Sequence, residues 1–107
     1  MNPLLKNYCV SVDFPDVSGA EHLEMLEMRD RILEIETQFS SEEKALLANA
    51  DRQLVAKAPE FDREISRFIN LPGRRNEQAI PPQRWWWYLD VLAVLPIHLK
   101  PEEIAQV

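Results

Sequence analysis

Two segments of the chain carry the same helix-start signature, Ser18-Gly19-Ala20-Glu21 and Ser40-Ser41-Glu42-Glu43. In such a box the serine hydroxyl accepts from the backbone N–H three residues on, and the glutamate reaches back to the N-cap N–H. Both bonds satisfy donors that a helix start otherwise leaves without partners. The pair predicts one helix over about 19–38 and a second that restarts at once and runs to about Lys57. In the first, Leu23, Leu26, Asp30 and Leu33 form one row, and Met25, Met28, Ile32, Ile35 and Phe39 the next. An apolar stripe that wide meets core on more than one side. The second helix offers Leu46, Leu47, Ala50, Leu54 and Val55, with Phe39 at the staple position of the corner.

The rest of the chain agrees with an α-rich fold. Gly19 and Gly73 are the only glycines among 107 residues, too few for the tight turns of an all-β domain. Ala58-Pro59-Glu60 starts a third helix, because proline suits the first helical turn, and Phe61, Ile65, Phe68 and Ile69 form its apolar face. Asn70-Leu71-Pro72-Gly73 reads as its stop. Residues 72–83, with three prolines and a glycine, read as a loop. Pro81-Pro82 then opens a last helix, Gln83–Leu95, which Pro96 ends, and Lys100-Pro101-Glu102-Glu103 suits a final short turn.

The N-terminus reads differently. Tyr8, Val10, Val12 and Phe14 alternate with Cys9, Ser11 and Asp13, the period of a half-buried strand. A partner strand would come from Ala79-Ile80, from Leu95–Leu99 or from a second copy. The alternative is an extended arm, residues 1–17, laid across the helices. The expected architecture is therefore one mostly α domain, 1–107: a compact bundle of about four helices with an extended or single-strand N-terminal segment. Its core is expected around Leu23, Leu26, Leu33, Phe39, Leu47, Leu54, Phe61, Ile65, Phe68, Trp85, Leu89 and Leu92.

Charge narrows the function. The net charge is −6, and residues 13–71 hold fourteen Asp/Glu against seven Lys/Arg. That balance disfavours binding that rests on neutralising phosphates. It suits either a solvated acidic face or a basic partner. The stretch Trp85–Leu99 is interrupted by Asp90, Pro96 and His98 and is shorter than the ~20 residues of a membrane-spanning helix. The first residues lack the apolar run of a leader. With Cys9 as the single cysteine, a cytoplasmic protein with a reduced thiol and no internal disulfide is expected.

Trp85-Trp86-Trp87-Tyr88 is the most unusual run. On an α-helical wheel Trp86 shares the most polar row with Asp90 and Ala93. Either the helix is central and buried nearly all round with Trp86 at its margin, or one tryptophan anchors a partner, for which Trp86 is the best candidate. Arg74, Arg75 and Arg84 flank it; with the tryptophans they would serve a second reading, nucleic-acid binding through stacking and phosphate contacts. His22 and His98 lack metal-ligand spacing, and His22 is expected to be an exposed helix-start residue. No glycine belongs to a phosphate loop. Cys9 with either histidine is the only thiol–imidazole pairing available, and no spacing brings them together. The reading is a small acidic protein–protein interaction module, an adaptor, inhibitor or antitoxin-like regulator, without catalysis, metal or cofactor. Its partner is another protein or a second copy of itself. The candidate contact residues are Trp86, Asp90, Arg74, Arg75 and Arg84.

Overall fold

The computed structural model describes residues 1–95. His98, the final turn at Lys100–Glu103 and the Leu95–Leu99 strand candidate fall wholly or partly outside them. Among the described residues there are six α-helices, two 3-10 turns and no strand. The helices are α1 (Pro3–Ser11), α2 (Gly19–Ile35), α3 (Ser41–Ala56), α4 (Ala58–Ser66), α5 (Leu71–Gln78) and α6 (Leu89–Val94). The 3-10 turns are Glu36–Gln38 and Trp85–Tyr88. α2 packs against α1 and α4 and touches the tryptophan turn; α3 packs on α1, and α6 lies along α4.

The expected N-terminal strand or arm is a helix. Asn2 caps it, its side-chain oxygen accepting from Leu4 N (2.8 Å) and Leu5 N (3.3 Å), and Pro3 occupies the first turn. The alternation misled because residues two apart, such as Tyr8 and Val10, also fall on nearly opposite sides of a helix; Val12 caps α1 and Phe14 lies past it in the turn. Tyr8 and Val12 face inward with Leu5 and are fully buried. Val10 and Phe14 face the other way and stay 51% and 52% exposed. Lys57 Nζ donates to the Val12 carbonyl at 3.3 Å, at the end of α1 where carbonyls lack helical partners.

Helices start after Ser18 and Ser40 as expected, but the reciprocal box is shown only at Ser40. Ser18 Oγ accepts from Glu21 N (3.4 Å). The Ser40 box is complete: Ser40 Oγ accepts from Glu43 N (3.1 Å) and Glu43 Oε1 from Ser40 N (3.1 Å). The α2 to α3 corner turns through Glu36–Gln38 with Phe39 buried behind it. The buried face of α2 is His22, Met25, Leu26, Arg29 and Ile32 rather than a purely aliphatic stripe, so Leu33, expected in the core, is 38% exposed.

The expected loop 72–83 is helical over its first half. Asn70 ends nothing: it caps α5, its Oδ1 accepting from Gly73 N (3.1 Å), with Pro72 in the first turn. Proline there costs no hydrogen bond, because the first turn has no acceptor for its N–H. Ala79 ends α5 in the left-handed region (φ 50°, ψ 47°), and irregular backbone runs only from there to Arg84. With α4 ending at Ser66, Phe68 lies past the helix and is 56% exposed instead of core.

The last helix is shorter than Gln83–Leu95. Its tryptophans lie in the 3-10 turn, and only Leu89–Val94 is α-helical. A 3-10 turn places i and i+3 on one side, so Trp85 and Tyr88 share the half-buried side. Trp86 and Trp87 turn inward, 1% and 2% exposed, which reverses the outward placement of Trp86 expected from an α-helical wheel.

Candidate functional site

The expected contact residues gather in one region, but most of their polar groups are spent on holding it together. The Trp86 and Trp87 indole N–H groups both donate to Asp30 Oδ1, at 2.8 and 2.9 Å. Arg84 approaches the same oxygen at 3.9 Å. Arg75, on α5, donates to the Trp87 carbonyl (2.9 Å) and pairs with both carboxylate oxygens of Asp90, Nη2 lying 3.1 Å from Oδ2 and Nη1 bonding Oδ1. Its guanidinium also lies 4.5 Å from the Tyr88 ring centre. Arg75 and Asp90 thus clamp α5 to the start of α6. Arg74 is half-buried on α5.

A second polar cluster escaped the sequence reading. Arg29, buried on α2, donates through Nε and Nη2 to Asp51 Oδ1 and Oδ2 of α3, at 3.0 and 3.1 Å. Tyr8 donates its hydroxyl to Asp51 Oδ1 at 2.6 Å. Burial first, and the Asp51 charge second, hold that phenol protonated far above its ordinary range. The Arg29 guanidinium stacks 4.3 Å from the Trp86 ring centre, and its Nη1 lies 3.8 Å from Glu36 Oε1. The available clue was an arginine three residues from both Leu26 and Ile32, on the face that must be buried. Beside this cluster a cleft of about 490 Å³ opens between α2 and α3, lined by Leu33, Thr37, Lys44 and Ala48 and by Glu36 and Asp51, whose carboxylates already face Arg29.

A further apolar surface lies at the α1–α2 corner. Val10 of α1 and Phe14 of the turn after it meet Val17 and Met28 around a groove of about 260 Å³. Its charged lining residues, Glu21 and Glu24, are both carboxylates and both exposed. The connecting turn adds Asp13 and Asp16, also exposed. His22 sets this corner. Contrary to the expected exposure it is 1% accessible, its Nε2 donating to the Pro15 carbonyl at 2.9 Å while its ring meets Phe61 edge-on at 4.6 Å. That bond fastens the Pro15 carbonyl of the 13–17 turn to α2, beside Phe14 and Val17.

Cys9 is half-buried on α1. Burial, then Asp13 and Asp51, push its thiol up, the opposite of what an attacking thiolate needs. Among the described residues no three His, Cys, Asp or Glu side chains are grouped to hold a metal ion, and no helix is long and apolar enough to cross a membrane. Comparisons with protein-family models, with curated proteins and with solved structures give no match.

Proposed function

We propose that this chain is a small acidic protein–protein interaction module, acting without catalysis in the cytoplasm, and that its contact surface is the α1–α2 groove rather than the tryptophan turn. One observation carries the reading: Val10 on α1 and Phe14 in the turn that His22 bonds to α2 stand half-exposed around one groove. Fully covering a Val or Phe side chain is worth roughly 1.5–3 kcal/mol, and about half of each remains to be covered. The groove is below the ~300–1,000 Å³ of typical small-molecule sites. It suits one anchoring side chain from a larger partner.

The same bonds weigh against the nucleic-acid reading. Arg75 is engaged by Asp90 and by the Trp87 carbonyl, and Trp86 and Trp87 offer no face for a base to stack on.

Panning a random peptide library on the wild-type chain and on Phe14→Ser tests the reading. Peptides retained by the wild type and lost on the variant are expected. A library yielding no Phe14-dependent binder would sink it.

A further inference from the structure

The groove also carries the chemistry of its occupant. We propose that it takes a short basic amphipathic segment of another protein, seating one large apolar side chain between Phe14, Val10, Val17 and Met28 with Lys or Arg against Glu21 and Glu24. This inference rests on the interaction reading above and specifies its partner.

Three features favour that occupant. The lining holds Glu21 and Glu24 and no Lys or Arg, and its one histidine, His22, is buried on the Pro15 carbonyl, so an acidic segment would be repelled at the moment of docking. Asp13 precedes Phe14 and Asp16 precedes Val17 in the chain, so the turn that carries the apolar wall is itself negative, although neither aspartate lines the groove. Glu21 and Glu24 stand three residues apart on α2, on neighbouring positions of one helix face. A helix laid along the groove would meet them with cations at the same spacing, flanking its apolar anchor.

The test uses a fluorescein-labelled model peptide of Leu and Lys, about 14 residues long and so roughly four helical turns, patterned with leucines on one face. Its mate carries Glu for every Lys. Fluorescence anisotropy should show the Leu/Lys peptide binding the wild-type chain and the Leu/Glu peptide failing to bind. Phe14→Ser should weaken binding about tenfold, a difference of about 1.4 kcal/mol. The double variant Glu21→Gln, Glu24→Gln should weaken it by a similar factor at low salt and flatten its salt dependence. Glutamine at position 21 retains the helix-start preference, and all these side chains are exposed, so circular dichroism should be unchanged.

A control pair, Glu34→Gln with Glu60→Gln, removes the same charge from exposed positions outside the groove. It should leave affinity nearly intact. Equal loss in the control pair would reduce the effect to net charge and overturn the proposal. So would equal binding of the Leu/Glu peptide, or no binding of the Leu/Lys peptide. A wild-type chain that sediments as a dimer, and as a monomer with Phe14→Ser, would assign the groove to a second copy; the interaction reading would survive and the basic partner would not. Phe14-dependent library peptides of acidic or neutral composition would separate the two in the same way.

Discussion

Arg29 and Asp51 join α2 to α3 through two parallel N–H···O bonds of 3.0 and 3.1 Å, and the arginine is almost wholly out of water. Tyr8 adds a third bond to the same carboxylate, so three helices meet at one charge. Removing one member of a buried pair leaves the other uncompensated, which costs about 3–5 kcal/mol. Asp51→Ala should lower the urea-unfolding free energy by that amount. Replacing Arg29 by Met together with Asp51→Leu and Tyr8→Phe removes both charges and the hydroxyl that Asp51 accepts from, and should recover much of the loss. Equal stability of Asp51→Ala and the wild type would show that the pair contributes nothing.

Trp86 is core. Its ring is 1% exposed, its N–H is bonded to Asp30 of α2 and Arg29 of α2 stacks on its face. Truncating such a side chain typically costs about 3–5 kcal/mol. Trp86→Ala should therefore unfold at markedly lower denaturant. Trp85→Ala, on the half-buried side of the same turn, should cost distinctly less; a reversed order would contradict the inward placement of Trp86.

Two small residues should respond in opposite directions to exchange of Gly and Ala. A Cβ at Gly19 would lie 2.5 Å from the Glu64 carbonyl oxygen and 2.9 Å from Phe68 Cβ. Gly19→Ala should cost about 1–3 kcal/mol although alanine is the better helix former, because α4 would have to move away. Ala79 holds φ 50°, where a Cβ is disfavoured by about 1–2 kcal/mol. Ala79→Gly should stabilise the chain by about 0.5–1 kcal/mol after glycine's larger entropy loss. Thermal melts of the two variants check both signs.

Glu43 ties the N-terminus to the α3 cap. Its Oε2 accepts from Asn2 N (3.0 Å) and its Oε1 from Ser40 N. Those two backbone donors hold its carboxyl below the ordinary value, the Asn2 bond having the larger effect. A depressed folded value means that its contribution is present above the unfolded carboxylate value of about 4.3 and disappears as pH falls through the lower folded value. Wild type should melt above Glu43→Gln at neutral pH, and the gap should close in acid. A gap independent of pH would mean that the ionised carboxylate is not what matters.

Local chemistry was legible wherever one residue's own backbone preference decided the outcome. Ser18, Ser40 and Pro59 start helices where their side chains or ring satisfy the first turn, and Leu26, Leu47, Leu54, Phe61, Ile65 and Leu89 are buried as their spacing required. Asn70-Leu71-Pro72-Gly73 was ambiguous, because the same residues that stop one helix can cap the next. The candidate site was less legible. Arg75 and Asp90 were singled out and do meet each other, but as an internal clamp.

By itself the sequence determined an α-rich chain, the two serine-capped helices and an acidic surface, since capping and charge need no distant partner. Only the tertiary structure decided which side of each element is buried. Tyr8-Val12 and Val10-Phe14 are equally apolar i,i+4 pairs; α2 and α3 lie against the first, with Asp51 waiting for the Tyr8 hydroxyl, and leave the second in water. Trp86 turned inward because Asp30 and Arg29, 56 and 57 positions earlier in the chain, supply an acceptor for its N–H and a cation for its face.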